Sequence, residues 1–228
     1  MYRYILFDLD GTLLDTFVGV SQSVAFALEY FGKPVPRGKK MRRYLGPPLV
    51  ESFQKLAGMN KAEAEEAVAK FRERYETTGV YEYGRFEDIK KALRELRENG
   101  CTLAVATAKP ETTAKIMLEH AGLDGEFKFI GGATKSEERM QKSQVIAYVL
   151  KNLGNPDKRE VLMVGDRDND VLGAKDNGIA CCGLLCGYGG REELEESGAD
   201  GVTFVCADFD LIKAAIIAVA AVMRAICD

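Results

Sequence analysis

Short apolar runs alternate along most of the chain with segments of helical periodicity, and this alternation restricts the fold more than any other feature of the sequence. Five runs predict strands at residues 4–7, 103–106, 127–130, 161–164 and 179–182, and residues 202–205 predict a sixth. Runs that are almost continuously apolar are typical of strands buried on both faces of a parallel sheet. The sequence therefore predicts a doubly wound α/β domain, in which helices connect successive parallel strands.

The segment between the first and second predicted strands differs, because its pattern is helical only. Apolar residues recur at helical spacing, and Asn60 and Glu63 stand where the N-cap and the third residue of one helix would lie. We expect an α/β core domain built from residues 1–14 and 83–228, and a small all-helical domain at residues 15–82. A helical domain inserted after the first strand would form a cap on the core.

Composition argues against several classes of function. The 228 residues include 31 Lys and Arg against 35 Asp and Glu, and the formal charge of −4 argues against nucleic-acid binding through a basic surface. The six cysteines form no CxxC pair and His120 is the only histidine, so a structural zinc site is not expected. The longest apolar stretch, residues 211–227, is interrupted by charges and predicts a packed C-terminal helix rather than a membrane span. No secretory signal is visible, and we expect a cytoplasmic protein.

Polar and charged side chains follow three of the predicted strands at the point where each strand ends. They are Asp8 and Asp10 after the first strand, Thr107 and Lys109 after the second, and Asp166, Asp168 and Asp170 after the fourth. Ligands of an open parallel sheet bind at the carboxyl ends of its strands. If the three strands are neighbours, these groups therefore predict a site at that edge.

A cluster of carboxylates would need a cation, because like charges repel one another and burial makes ionisation harder still. Oxygen ligands without His or Cys favour Mg²⁺ over zinc. A metal ion beside a carboxylate, with a lysine nearby, would also attract a phosphate group. Each acid taken singly could instead cap a turn or the following helix, but the repetition of such strand ends in one chain favours the metal site.

The same residues occur in motifs that resemble those of the haloacid dehalogenase superfamily. Residues 8–12, with the sequence DLDGT, are similar to its first motif, and residues 165–170, with the sequence GDRDND, are similar to its fourth. Thr107 matches the hydroxyl of the second motif, and Lys142 at the start of a predicted helix resembles the lysine of the third. The motifs occur in the right order over nearly the whole chain. The insertion point of the helical block matches the C1 cap of the phosphoglycolate phosphatase-like branch.

The resemblance implies a Rossmann-like core and a Mg²⁺-dependent phosphomonoester hydrolase that acts on a small phosphorylated metabolite through an aspartyl-phosphate intermediate. Asp8 would be the nucleophile, and Asp10 would be the general acid and then the general base. Thr107, Ala108 and Lys142 would bind the phosphoryl group. The residues implied as metal ligands are Asp8, Asp10 through its backbone carbonyl, Asp166 and Asp170.

Two assignments have alternatives. Lys142 is followed by Ser143 where many relatives have proline, and Lys109 could be mistaken for the third-motif lysine. We prefer Lys142 because it opens the helix leading into the fourth strand, and we expect Lys109 at the rim of the site. An isomerase like β-phosphoglucomutase would share both aspartates, the metal site and the cap, so it stays the alternative function.

One glycine-rich segment invites a functional interpretation that its spacing does not support. Residues 187–190, with the sequence GYGG, match neither the dinucleotide-binding pattern nor the Walker pattern. We interpret them as a turn into the next helix.

Overall fold

The computed structural model describes residues 2–86, 89–134 and 139–203. The first part of the chain contains β1 (Tyr4–Phe7), β2 (Leu14–Asp15), α1 (Phe17–Tyr30), α2 (Lys39–Arg42), α3 (Leu49–Ala57), α4 (Lys61–Tyr75) and β3 (Gly84–Arg85). The second part contains α5 (Ile89–Glu98), β4 (Thr102–Pro110), α6 (Glu111–Ala121), β5 (Phe129–Ala133), α7 (Lys142–Asn152), β6 (Val161–Gly165), α8 (Asp168–Asp176), β7 (Ala180–Leu184), α9 (Arg191–Glu196) and β8 (Gly201–Thr203).

Six strands form one parallel sheet in the order β5-β4-β1-β6-β7-β8. The first strand, β1, therefore lies between β4 and β6, and Tyr4 is in register with Thr102 on one side and with Val161 on the other. The α/β fold with a parallel sheet is confirmed. The order also makes neighbours of the three strands whose ends contain the predicted site residues.

The sheet is buried because its strands are apolar on both faces. Every residue of β6 and β7 is buried. On one face, Leu6 and Met163 belong to a core cluster with Val145 and Ile146 of α7 and Val171 of α8. Burial of an aliphatic side chain of this size contributes about 1.5–3 kcal/mol to folding. The carboxyl ends of the strands are thus fixed by a packed core directly beneath them.

Residues Asp15–Gly84 form one compact unit, and the described residues before and after them form another. Within the helical unit, α4 packs against both α1 and α3. The start of α4 is fixed by a capping box, as predicted. The Oδ1 atom of Asn60 accepts a hydrogen bond from the Glu63 amide at 3.0 Å, and the Asn60 amide donates to Glu63 Oε2 at 2.8 Å. A side-chain cap of this kind is worth about 1 kcal/mol.

The third predicted strand is displaced along the chain. The apolar pattern predicts it at residues 127–130, but β5 spans Phe129–Ala133 and includes two glycines. Glycine usually weakens a strand. The structure nevertheless requires glycine at position 132, because a Cβ there would lie 2.6 Å from the Lys109 carbonyl oxygen of the adjacent β4. The end of β5 therefore depends on close packing between β5 and β4, which cannot be predicted from the local sequence pattern.

Among the residues that the structure describes, no helix is both long enough and apolar enough to cross a lipid bilayer. The predicted C-terminal helix at residues 211–227 lies outside the described residues. The sixth predicted strand is present as β8, which spans Gly201–Thr203 within the described part of the chain.

Candidate active site

The predicted site residues lie at one edge of the sheet because β4, β1 and β6 are adjacent and parallel. Asp8 directly follows β1, residues 107–109 belong to the end of β4, and Asp166 directly follows β6. Lys142 is the first residue of α7, and Asp170 lies in the first turn of α8. Five separate elements therefore bring these side chains to the carboxyl ends of the central strands.

Three of the predicted metal ligands form a compact group. Asp8, Asp166 and Asp170 are all buried, and each offers one carboxylate oxygen within 4.8 Å of the oxygens of the other two. The ammonium Nζ of Lys142 lies 2.7 Å from Asp8 Oδ1 and 2.7 Å from Asp170 Oδ1. It also donates a hydrogen bond to the carbonyl oxygen of Ala106 at 3.0 Å. Three contacts thus fix the lysine ammonium: two with carboxylates and one with a backbone carbonyl oxygen.

The charges of this group do not balance. Three carboxylates face one ammonium, so the fully ionised group holds two uncompensated negative charges away from water. Apart from Lys142, neither Asp8 Oδ1 nor Asp170 Oδ1 has a hydrogen-bond partner among the described residues. A divalent cation fits this donor set, because it would supply the missing charge and take oxygen ligands.

Burial and the unbalanced charges also shift the pKa values of residues in this group. Burial, together with the charges of Asp170 and Asp8, raises the pKa of Asp166 well above the usual carboxyl range. Burial also raises the pKa of Asp170, to about 6, although Lys142 opposes the shift. For Lys142, burial favours the neutral amine, but Asp170 and Asp8 outweigh it and raise its pKa. The lysine therefore stays charged, whereas Asp166 and Asp170 retain protons more readily than exposed carboxyl groups do.

Hydrogen bonds fix the orientation of the two fourth-motif aspartates. Asp166 Oδ1 accepts from the Thr12 hydroxyl at 3.2 Å, and Asp166 Oδ2 accepts from the Tyr188 amide at 2.7 Å. Asp170 Oδ2 accepts from the amides of Asp166 and Arg167, both at 3.1 Å. No sequence pattern assigned a role to Thr12 or Tyr188. Thr12 lies inside the first motif, so its role could have been suspected from the sequence. The role of the Tyr188 amide could not, because a backbone amide has no sequence signature.

The carboxylate of Asp10 is not part of the three-aspartate group. Its Oδ2 lies 3.1 Å from Nζ of Lys109, whose side chain is 6% exposed. Lys109 thus lies beside a predicted site residue at the end of β4, and its side chain is buried there. The strand register shifts between Thr107 and Pro110, and the Lys109 amide donates to the Thr107 hydroxyl at 3.2 Å. Irregularities of this kind re-aim side chains, and here the lysine pairs with Asp10.

The remaining predicted phosphoryl-binding residues adjoin this pair. Thr107 is buried and Ala108 is partly buried, in the same irregular part of β4. The hydroxyl of Thr107 accepts a hydrogen bond from the Lys109 amide, so a residue of the same strand fixes the position of this hydroxyl. Lys142, Thr107 and Ala108 thus belong to elements that flank the end of β1.

Known proteins resemble this chain in sequence and in structure. The family model for haloacid dehalogenase-like hydrolases matches residues 5–184. A 5'-nucleotidase from Pseudomonas aeruginosa is 40% identical over 93% of this chain and 94% of its own length. The tyrosine-protein kinase PtkA from Mycobacterium tuberculosis is 37% identical over 88% of this chain and 68% of its own length. Phosphoglycolate phosphatase 1 from Pseudomonas aeruginosa is 32% identical, over 86% and 74%.

A solved structure supports the same grouping. The haloacid dehalogenase-like family protein from Streptococcus pneumoniae superimposes with a TM-score of 0.84 at 30% identity, covering 90% of this chain and 94% of its own. The chain belongs to the haloacid dehalogenase-like hydrolase family. Its similarity to proteins named as phosphatase and nucleotidase assigns it to the phosphoric monoester hydrolases of that family.

Proposed function

We propose that the protein is a Mg²⁺-dependent phosphomonoester hydrolase that acts on a small phosphorylated metabolite through an aspartyl-phosphate on Asp8. The observation that supports it best is the buried group of Asp8, Asp166 and Asp170, with Lys142 Nζ 2.7 Å from two of them. Such a group is unfavourable without a ligand, and its donor atoms suit a hard divalent cation.

The ion would be held by the carboxylates of Asp8, Asp166 and Asp170 and by the backbone carbonyl of Asp10. When bound, Mg²⁺ would stabilise negative charge on the phosphoryl oxygens. Lys142 would keep the Asp8 carboxylate in place and, with Thr107 and the backbone at Ala108, hold the phosphoryl group.

In the first step, the Asp8 carboxylate attacks phosphorus. The bond from the Asp8 oxygen to phosphorus forms while the bond from phosphorus to the ester oxygen breaks, and Asp10 donates a proton to that oxygen. The products of this step are a free alcohol and an acyl phosphate. Proton donation of this kind typically contributes about 10²–10⁴ in rate.

In the second step, Asp10 acts in the reverse sense and accepts a proton from water. The water oxygen attacks phosphorus, the bond to Asp8 breaks, and inorganic phosphate leaves. Lys109, which is paired with Asp10 at 3.1 Å, keeps the carboxylate of this residue fixed through both steps.

The substrate class follows from the relatives, because the phosphoryl-binding residues contact the part shared by every phosphate ester. The names 5'-nucleotidase and phosphoglycolate phosphatase make nucleoside 5'-monophosphates and phosphoglycolate the first candidates. Both names denote hydrolases, which favours hydrolysis over the isomerase alternative. We propose that the helical unit Asp15–Gly84 serves as the cap and contributes selectivity for the leaving group.

The proposal can be tested by measuring phosphate release with Mg²⁺ from nucleoside 5'-monophosphates, phosphoglycolate and sugar phosphates. We expect turnover of one class, and an acid-quenched reaction should trap phosphate on Asp8 of the wild type but not of Asp8→Asn. Conversion of a hexose 1-phosphate to its 6-phosphate without release of phosphate would favour the isomerase. Turnover without a trapped phosphoenzyme would contradict the mechanism.

A further inference from the structure

The loop between β7 and α9 contacts Asp166, a candidate metal ligand that comes from a different strand. The loop leads into α9 at Arg191, so the interpretation of residues 187–190 as a turn into a helix is confirmed. Its Tyr188 amide also donates to Asp166 Oδ2 at 2.7 Å. The loop therefore has a contact that a simple turn does not need.

Two glycines permit this contact. A Cβ added to Gly187 would overlap the Asp166 carboxylate, and a Cβ added to Gly189 would overlap the Asp166 carbonyl oxygen, both closer than real Cβ atoms approach. Any side chain at either position would push Asp166 or the loop away. Gly190, the next residue, has open space around its Cβ position and an ordinary φ of −100°. The lack of space for a side chain therefore applies to Gly187 and Gly189 and does not extend to Gly190.

Asp166 is also held from the opposite side by the loop after β1. The Thr12 hydroxyl donates to Asp166 Oδ1 at 3.2 Å. Gly11, at a φ of 78°, brings its backbone so close that a Cβ there would overlap Asp166 Oδ2. Asp166 is fully buried, and these two loops contact both of its carboxylate oxygens.

We propose that the segment Gly187–Gly189 and Thr12 together position Asp166, and that they hold its carboxylate in the orientation that a divalent cation requires. The inference rests on the metal site of the proposed function. A carboxylate has about four lone-pair directions, and Thr12 and Tyr188 each occupy one, on different oxygens. The remaining directions are then fixed before the ion arrives. Partners that orient a ligand in this way typically change metal affinity by about 10–100-fold.

Gly187→Ala and Gly190→Ala form a matched pair that tests this role in the full-length chain. The metal-free proteins are titrated with Mg²⁺ by isothermal calorimetry, and thermal unfolding is followed without metal. We expect Gly187→Ala to weaken Mg²⁺ binding about 10–100-fold and Gly190→Ala to change it less than twofold. Unchanged Mg²⁺ affinity in Gly187→Ala would overturn the proposal.

Thr12→Val keeps the test decisive if Gly187→Ala does not fold. This variant keeps the side-chain shape and removes the hydroxyl donor to Asp166 Oδ1, so we expect Mg²⁺ binding to weaken several-fold. If Thr12→Val binds like wild type, the positional restraint does not matter for the metal and the proposal fails. Absence of Mg²⁺ binding in wild type would overturn the proposed function together with this inference, whereas equal binding in wild type and variants would overturn the inference alone.

Discussion

Two buried carboxylates of the α/β part are surrounded in opposite ways. Glu126, next to α6, is 8% exposed and accepts hydrogen bonds from Arg97 Nη1 at 2.8 Å and Arg94 Nε at 3.3 Å. Asp166, at the end of β6, is fully buried and accepts only from neutral donors, the Thr12 hydroxyl and the Tyr188 amide, among the contacts described above. Its nearest charged neighbours include two further carboxylates.

The pKa directions follow the partners rather than the burial. Burial alone would raise both pKa values, but hydrogen bonds and charges from Arg97 and Arg94 outweigh it and lower the pKa of Glu126. For Asp166, Asp170 and Asp8 add to burial and raise the pKa. A carboxylate that the protein neutralises with its own cations is structural. The group of Asp8, Asp166 and Asp170 lacks matching positive charge, and its oxygen donors fit a cation.

The comparison is tested most strongly by replacing one carboxylate in each region. Asp8→Asn should lower kcat by at least about 10³-fold, because an amide cannot form the acyl phosphate. Glu126→Gln should leave kcat/KM within about twofold. The measurement is steady-state phosphate release from the best substrate at saturating Mg²⁺. Retention of more than a few per cent of activity in Asp8→Asn would contradict its assignment as the nucleophile.

Removal of the metal should separate the two regions in the same way. Chelation should abolish turnover, and Mg²⁺ should restore it, whereas Ca²⁺, with its larger and looser coordination, should substitute poorly. Mg²⁺ at 100 times its Kd should add about 2.7 kcal/mol to the free energy of unfolding. The same addition should leave Asp166→Asn less stabilised than Glu126→Gln. Full activity in excess EDTA would mean that the aspartate group does not act through a metal.

The buried pair of Lys109 and Asp10 gives a smaller effect. Lys109→Met removes the ammonium 3.1 Å from the Asp10 carboxylate, so we expect kcat to fall about tenfold with less change in KM. Lys109→Arg restores the charge and should recover part of kcat. If both variants lose kcat equally, or if KM alone changes, Lys109 does not act by holding Asp10.

The sequence predicted those features that depend on local pattern or on strand order. Parallel strands appear as apolar runs, and carboxylates at their ends converge once the strands are adjacent, which is why Asp8, Asp166 and Asp170 could be predicted as one group. The pairing of Lys109 with Asp10 could not be predicted, because it depends on a register shift in β4. The contact from the Tyr188 amide could not be predicted either, since backbone donors have no sequence signature.

The smallest expected effects are those of pH on the stability of the metal-free protein. Glu126 and Asp166 should change the pH dependence of the free energy of unfolding in opposite directions. The lowered pKa of Glu126 means that its contribution is present above its unfolded pKa of about 4.3 and is lost as the pH falls through the folded value. Glu126→Gln should therefore lower the free energy of unfolding by about 1 kcal/mol near pH 7, with a smaller loss near pH 4.

For Asp166 the sign is reversed, because its raised pKa makes the native state bind more protons than the unfolded state once the pH exceeds about 4. Ionisation of Asp166 then works against folding as the pH rises. The stability of Asp166→Asn relative to wild type should therefore increase between about pH 4 and pH 7. Urea denaturation of the metal-free proteins across this range measures both differences. Parallel slopes for the two variants would show that Asp166 and Glu126 are neutralised alike, and would remove the distinction between a structural carboxylate and one prepared for a metal.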